Sequence, residues 1–196
     1  MRKRAIQICA VAAVAVISAF AYTKVMARIG SGNAPAAAAA DAQADRIIVS
    51  KDDHRLYLLR SGDIIHSYDV AMGAHWDAGH KAQEGDERTP EGRYVIDWRN
   101  PDSVAHLSLH ISYPDADDVS AARAAGVDPG GSIMIHGLPN GWGVLAPFHL
   151  MTNWTDGCIA VTNAQMQQIW ALVPDGTPID ISTRWRPGDD TAGQQK

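Results

Sequence analysis

From residue 46 onward, the apolar residues of this sequence occur in short runs rich in β-branched and aromatic residues, each bounded by polar or glycine-containing turns. Such runs predict strands rather than long helices. Residues 107–113 alternate apolar and polar side chains with period two, which is typical of a strand with one buried face. The sequence therefore predicts a mainly β domain whose strands form a sandwich or a barrel-like sheet. The predicted strands are 47–49, 56–59, 64–70, 93–98, 107–113, 132–136, 158–161 and 177–182.

Two short helices are expected among these strands. Residues 115–126 suit a helix that ends at Gly126. The second helix, about 163–173, follows a capping box formed by Thr162 and Gln165. Its apolar residues recur at i, i+3, i+4 and i+7, which predicts one buried face; they are Met166, Ile169, Trp170 and Val173.

The N-terminus has the pattern of an export signal. Three basic residues at 2–4 precede an apolar stretch over 5–22. Small residues around Ala21 and Ala27 resemble cleavage sites, and the stretch is also about long enough to remain as a membrane anchor. We therefore assign residues 1–27 to a signal peptide or signal anchor and expect the rest of the chain in the periplasm or cell envelope.

The remaining chain divides by composition. Residues 28–45 are rich in alanine and glycine and predict a flexible linker, 46–186 predict one folded domain, and 187–196 predict a disordered tail. Four of the 17 basic residues and none of the 22 acidic residues lie in 1–27, so the exported part has 13 basic against 22 acidic residues and a net charge of −9. This charge argues against nucleic acid as a partner.

A lone cysteine is the main chemical signal. The chain has two cysteines, and Cys9 lies in the leader, so the exported domain keeps only Cys158. Exported proteins usually pair their thiols, and an unpaired one is either a reactive group or a buried apolar residue.

A reactive cysteine needs a base close to it, because the thiolate is the nucleophile. His136 ends a predicted strand, and a 21-residue loop returns the chain to Cys158. His149 in that loop is the alternative base, and His136 could also be a core histidine without a catalytic role. Gly157 permits a close backbone approach, so that backbone N–H groups near Gly157 could hold an oxyanion.

These residues resemble a known family. Ile135-His136-Gly137 followed by Thr155-Asp156-Gly157-Cys158-Ile159 is similar to the signature of the YkuD-type L,D-transpeptidase domain. The resemblance extends to the opening hairpins and to the turn Thr89-Pro90-Glu91-Gly92, and so covers nearly all of 46–182.

The resemblance implies a β-rich YkuD fold with Cys158 as nucleophile and His136 as base, without a cofactor. It places Asp156, Gly157 and Gly137 along the site, with the carbonyl of Gly137 orienting the imidazole. The implied substrates are peptidoglycan stem peptides: the enzyme releases D-alanine from a tetrapeptide through a thioester and passes the acyl group to an amine, which cross-links or remodels the wall and so affects cell shape. Water as acceptor would make it a peptidase.

Two positions depart from the family pattern. The family usually has histidine where this chain has Asp156, and often arginine where it has Ala160. The thiol chemistry is expected to persist, whereas the identity of the acceptor, amine or water, stays open.

Other side chains give weaker signals. Trp142, Trp154 and Thr155 are candidate substrate contacts near the expected cleft. His75, Asp77 and His80 lie in a polar loop and could ligate zinc, which would make the protein a zinc-dependent wall peptidase. No zinc-peptidase helix motif supports this alternative, and we predict no metal. A wall-binding module without turnover is the third possibility.

Overall fold

The structure, a computed structural model, describes residues 2–189. It contains eight strands and three α-helices. The strands are β1 (Arg46–Ser50), β2 (Arg55–Arg60), β3 (Asp63–Asp69), β4 (Gly92–Asn100), β5 (Ser108–Ile111), β6 (Met134–His136), β7 (Ile159–Ala160) and β8 (Pro178–Ser182). The helices are α1 (Arg2–Ile29), α2 (Ala116–Ala125) and α3 (Asn163–Leu172), with short 3-10 helices at Trp76–Ala78 and Gly143–Phe148.

All eight strands belong to one mixed sheet with the order β3-β2-β1-β8-β4-β5-β6-β7. Neighbouring strands are antiparallel except for β1 with β8 and β6 with β7, which are parallel. The chain that leaves β3 reaches the opposite edge of the sheet, where Ala71 and Ala160 exchange backbone hydrogen bonds of 3.0 and 2.8 Å. This contact curls the sheet into a half-barrel, and the predicted fold class is confirmed.

The core fills the inside of the curled sheet. The buried face of α3 packs there through Met166, Ile169 and Trp170, as its periodicity predicts. The capping box of Thr162 and Gln165 is present at the start of α3 and fixes where the helix begins, directly after β7. This placement matters for the site, because α3 carries Asn163 at its first turn next to the end of β6.

The N-terminal helix α1 has the length and composition of a membrane span over Ile6–Ile29, and none of its most apolar window is buried in the protein. Its last turns contact the domain: the Tyr22 hydroxyl donates to the carbonyl of Gly141 at 3.0 Å.

Residues 30–45, predicted as part of a flexible linker, lie along the domain surface in the structure. Gly32 N–H donates to His106 O at 2.9 Å, and the N–H groups of Ala38 and Ala44 donate to carbonyls at the end of α3 at 2.8 Å. The difference arises because an alanine-rich segment without bulky side chains can lie close enough to use its backbone groups. The predicted disordered tail, 187–196, lies outside the described residues from 190 onward.

Candidate active site

The sheet places Cys158 close along the chain to the strand that pairs with His136. β6 ends at His136 and runs parallel to β7, with Ile135 opposite Ile159 and His136 opposite Ala160. Cys158 lies directly before β7, two positions before the partner of His136, and a strand continued back to it would put both side chains on the same face. From the strand spacing and rise, their Cα atoms are about 8 Å apart on the diagonal. Side chains of this length can meet across that gap.

The imidazole of His136 is held in one tautomer. Its Nδ1 lies 2.6 Å from the carbonyl oxygen of Gly137. A carbonyl only accepts hydrogen bonds, so Nδ1 carries the hydrogen and Nε2 of the neutral ring is free to take a proton. Burial lowers the pKa of His136, and the bond to Gly137 opposes this only in part. The ring is therefore neutral at pH 7, as a general base must be.

The thiol of Cys158 is protonated in this resting arrangement. Burial is the largest influence and raises the pKa of Cys158, and the Asp156 carboxylate raises it further. The backbone hydrogen bond of Met134 and the charge of Lys81 lower the pKa, but the net result is a raised value. Within residues 2–189, the hydrogen bond that Sγ donates goes to the carbonyl of Ser132 at 3.6 Å and not to His136. Proton transfer to His136 thus requires the thiol to turn about its Cα–Cβ bond.

The backbone conformation at position 157 requires a glycine. Its φ is +129°, and a Cβ at this position would lie 2.5 Å from the carbonyl oxygen of Arg88. Its N–H donates to Thr155 Oγ1 at 3.2 Å. The remaining backbone donor beside the nucleophile is the amide of Cys158 itself.

Thr155, predicted as a substrate contact, is engaged within the loop instead. Its side chain is buried, and its hydroxyl donates to the carbonyl of Cys158 at 2.7 Å while accepting from Gly157. The hydroxyl therefore holds the turn that presents the nucleophile. Asp156, between them, is exposed to solvent beside the thiol.

The two tryptophans lie in different surroundings. Trp154 packs edge-on against the imidazole of His136, with ring centroids 5.8 Å apart, and keeps 37% of its surface exposed. Trp142 instead contacts α1: its Nε1 donates to Thr23 Oγ1 at 3.1 Å, and its ring packs edge-on against Tyr22. Trp154 thus lies beside His136 with part of its surface exposed, and Trp142 lies against the N-terminal helix.

His149, the alternative base, lines an apolar cavity of about 370 Å³ together with Trp154 and Trp142. Its ring is buried, its Nδ1 has no hydrogen-bond partner among residues 2–189, and burial lowers its pKa. His149 follows the 3-10 helix Gly143–Phe148 and lies on no strand of the sheet, so no strand register relates it to Cys158.

A polar loop for which the sequence predicted no helix or strand packs against the site. Residues 73–91 pack over Gly157 through the Arg88 carbonyl, and two buried lysines hold this loop. Lys81 Nζ lies 2.8 Å from Asp86 Oδ1, and Lys51 Nζ lies 2.7 Å from Glu91 Oε1. Sequence reasoning missed these residues, because a lysine in a polar loop gives no signal that it will be buried.

Asn163, which the sequence places in the first turn of α3, also contacts the turn after His136. Its Oδ1 accepts a hydrogen bond from Leu138 N–H at 2.8 Å. This bond fixes the Gly137–Leu138 turn whose carbonyl orients His136. The sequence signal was its place directly after the Thr162 cap, where a side chain at the first helical turn can reach the preceding strand end.

The candidate zinc ligands do not come together. His80 uses both ring nitrogens, Nε2 toward Asp118 at 2.9 Å and Nδ1 as acceptor from Glu91 N–H at 3.0 Å. The Nδ1 of His75 lies 3.1 Å from the carbonyl of Asp86. In the described chain no three histidine, cysteine or acidic side chains form a group that could hold a metal ion. The zinc alternative therefore has no structural support.

Comparison with known families identifies the domain. The model of the YkuD L,D-transpeptidase catalytic domain matches residues 44–181. The chain belongs to the YkuD L,D-transpeptidase family. It is thus a member of an enzyme family that acts on peptidoglycan. Its N-terminal apolar helix fits a signal peptide or an anchor, as is typical of the extracytoplasmic members of this family.

Solved structures share the fold at low identity. Bd1075 from Bdellovibrio bacteriovorus is 22% identical with a TM-score of 0.50, and the alignment covers 80% of this chain and 54% of the Bd1075 chain. The helical cell shape determining protein Pgp2 from Campylobacter jejuni is also 22% identical, with a TM-score of 0.54 and coverage of 84% and 56%. L,D-transpeptidase 1 of Mycobacterium tuberculosis is 13% identical with a TM-score of 0.41, covering 69% and 60%.

The chain therefore spans a little over half the length of Bd1075 and Pgp2. No curated protein sequence matches it significantly.

Proposed function

We propose that this protein is a cysteine L,D-transpeptidase that acts on peptidoglycan stem peptides in the periplasm or cell envelope. The observation that carries the proposal is the parallel β6–β7 register, in which the partner of His136 lies two positions after Cys158, and the bond from Nδ1 of His136 to Gly137 O, which leaves Nε2 free, supports it. The family match over 44–181 supplies the substrate class.

In the proposed acylation step, the thiol turns from Ser132 toward His136, and Nε2 removes its proton. The thiolate attacks the carbonyl carbon of the third stem residue, and the amide of Cys158 donates to the developing oxyanion. The carbon–nitrogen bond to the terminal D-alanine then breaks. The leaving amine takes the proton from the imidazolium, which leaves a thioester on Cys158 and a neutral His136.

In the second step, the amine of another stem peptide gives a proton to His136 as it attacks the thioester carbonyl. The new amide forms, the carbon–sulfur bond breaks, and the thiolate recovers the proton from the imidazolium. Water in place of the amine would release a tripeptide acid.

An amine acceptor is favoured by the exposed carboxylate of Asp156. An acceptor amine is a cation at neutral pH before it reacts, and a carboxylate beside the thiol attracts a cation. A water molecule carries no net charge and is not concentrated by this carboxylate. We therefore expect Asp156→Asn to shift products from transpeptidation toward hydrolysis.

The proposal is tested by incubating the purified protein with a disaccharide-tetrapeptide and measuring the intact mass. A covalent adduct is expected that lacks D-alanine and maps to Cys158. Cys158→Ala should abolish it, whereas Cys9→Ala, the matched control, should retain it. Product analysis with and without an acceptor amine separates the transferase from the peptidase. Turnover by the Cys158→Ala variant would overturn the proposal.

A further inference from the structure

The loop between β6 and β7 has an uncharged, apolar surface. Residues 137–155 contain no Asp, Glu, Lys or Arg. Several of its large apolar side chains are exposed: Val144 is 80%, Phe148 60% and Met151 75% accessible, and Leu145 and Leu150 are nearly half accessible. Elsewhere in the domain exposed apolar residues are dispersed, for example Ile64 in β3 and Val119 in α2. A continuous exposed apolar surface in a charged protein marks an interaction site.

This loop is attached to the candidate membrane span. The Tyr22 hydroxyl donates to Gly141 O at 3.0 Å, and Trp142 Nε1 donates to Thr23 Oγ1 at 3.1 Å. The Tyr22 and Trp142 rings pack edge-on with centroids 5.7 Å apart. The loop and the last turns of α1 thus form one continuous surface.

The contact falls at the level where α1 leaves the membrane. Residues 5–22 contain no charged residue and form the most apolar part of the candidate span Ile6–Ile29, broken only by Gln7 and Ser18. As a helix this part is about 27 Å long, comparable to the hydrocarbon thickness of about 30 Å. Tyr22 ends this part, and the basic residues Lys24 and Arg28 follow it. Tyrosine and tryptophan are enriched at this level, because their rings are apolar and their polar atoms reach water.

We propose that the exposed apolar side chains of residues 144–151 insert into the outer leaflet of the membrane that α1 spans. This inference takes α1 as a retained anchor, one of the two assignments that its sequence allows, and it is independent of the thioester chemistry. The loop would enter the boundary between headgroups and acyl chains, about 5–10 Å deep, as amphipathic surface elements do.

Insertion would set the orientation of the catalytic site. Trp154, at the end of the same loop, contacts His136, and the apolar cavity of about 370 Å³ lies between Trp154 and Thr23 of α1. The site would therefore face the space directly next to the membrane, and the domain would act on stem peptides in the wall layer nearest to it.

The test uses the full chain reconstituted in vesicles of phosphatidylethanolamine and phosphatidylglycerol. A nitroxide spin label is attached through Met151→Cys or, separately, Val144→Cys, with Cys9→Ser and Cys158→Ser in the background so that no other thiol reacts. Ile64→Cys in β3, at the opposite edge of the sheet, is the matched control. Collision rates of the label with oxygen, which concentrates in lipid, and with a water-soluble nickel chelate report its depth.

We expect the ratio of oxygen to nickel collisions to be several-fold higher at 151 and 144 than at 64. Equal ratios at all three positions would overturn the proposal. Protection from both reagents, together with dipolar broadening between labels, would also overturn it, because it would show that a second copy of the chain covers the loop. Using two loop positions guards against one label disturbing the fold, which circular dichroism checks.

Discussion

The carbonyl oxygen of Gly137 lies 2.6 Å from Nδ1 of His136, the residue that precedes it. One peptide unit thus orients the proposed base, and burial lowers the pKa of His136 and raises that of Cys158. The resting site is a neutral pair, which differs from cysteine enzymes that keep a thiolate–imidazolium pair.

The neutral pair predicts two pH dependences. Alkylation of Cys158 by iodoacetamide without substrate should rise through a pKa above the ordinary thiol value, because the thiolate is disfavoured. The kcat/KM of acylation should fall in acid only below the ordinary histidine pKa of 6.5, where His136 becomes protonated. Rate measurements from pH 5 to about 10 check both. An alkylation rate already at its plateau near pH 6 would contradict the neutral pair.

Replacement of Asn163 should reduce activity without unfolding the protein. Asn163→Ala leaves the Leu138 N–H without its acceptor and loosens the turn that orients His136. We expect kcat/KM to fall about tenfold, the effect of a lost buried hydrogen bond. Asn163→Asp keeps the acceptor oxygen and should retain more activity.

The matched control for Asn163 is Gln165→Ala in the same helix turn. It removes the capping-box acceptor of the Thr162 N–H, and so should lower the free energy of unfolding by about 1 kcal/mol while kcat/KM stays near the wild-type value. Equal kinetic losses in both variants would assign Asn163 a purely structural role.

Breaking the buried pair in the 73–91 loop should destabilise the protein. Lys81 and Asp86 have side chains only 3% and 8% exposed, so Asp86→Asn leaves a buried unpaired charge. We expect a loss of roughly 3–5 kcal/mol in urea unfolding. Asp52→Asn, which breaks the exposed pair with Arg184, is the control and should cost less than about 1 kcal/mol.

The lowered pKa of Asp86 also predicts that the protein loses stability in acid. Burial by itself would raise the pKa of Asp86, but the hydrogen bonds from Lys81 and three backbone amides outweigh it and lower the pKa from 3.8 to about 2. A lowered folded-state pKa gives stability that is complete above the ordinary value and is lost as the pH falls from about 4 to 2. Urea unfolding at these pH values should show a loss of roughly 1–3 kcal/mol that is absent from Asp86→Asn.

Gly157→Ala should abolish activity. The added Cβ would strike the Arg88 carbonyl and would have to accept a φ of +129°, so the turn before Cys158 would move. Gly62→Ala is the control, because φ there is +88° but the space around it is open. We expect more than about a hundredfold loss of kcat/KM for Gly157→Ala, and nearly full activity with about 1 kcal/mol of strain for Gly62→Ala. Retained activity in Gly157→Ala would show that the turn can shift without cost.

The sequence predicted those parts of this protein that depend on local pattern. The strand runs, the capping box of α3 and a short strand beginning next to Cys158, predicted over 158–161 and observed over Ile159–Ala160, follow from periodicity and turn chemistry. The parts it did not predict depend on long-range packing. The burial of Lys81, the use of the Gly157 N–H by Thr155 and the alignment of residues 30–45 along the domain all require contacts that no local pattern encodes.

The contact between Trp142 and α1 also depends on long-range packing. A tryptophan in a glycine-rich loop predicts an aromatic surface, and the surroundings of the expected cleft suggested a substrate as its partner. In the structure Trp142 contacts Tyr22 and Thr23, and a contact across 119 residues of sequence has no local pattern that could predict it.

The most direct test of the central claim is the rate at which a tetrapeptide acylates the thiol, followed by rapid quenching and intact mass. We predict that wild type and His149→Gln acylate at similar rates at pH 7. His136→Gln should form no adduct at pH 7 and should recover acylation only when the pH is high enough to ionise Cys158 without a base. Acylation of His136→Gln at the wild-type rate at pH 7 would contradict the assignment of His136 as the base of Cys158.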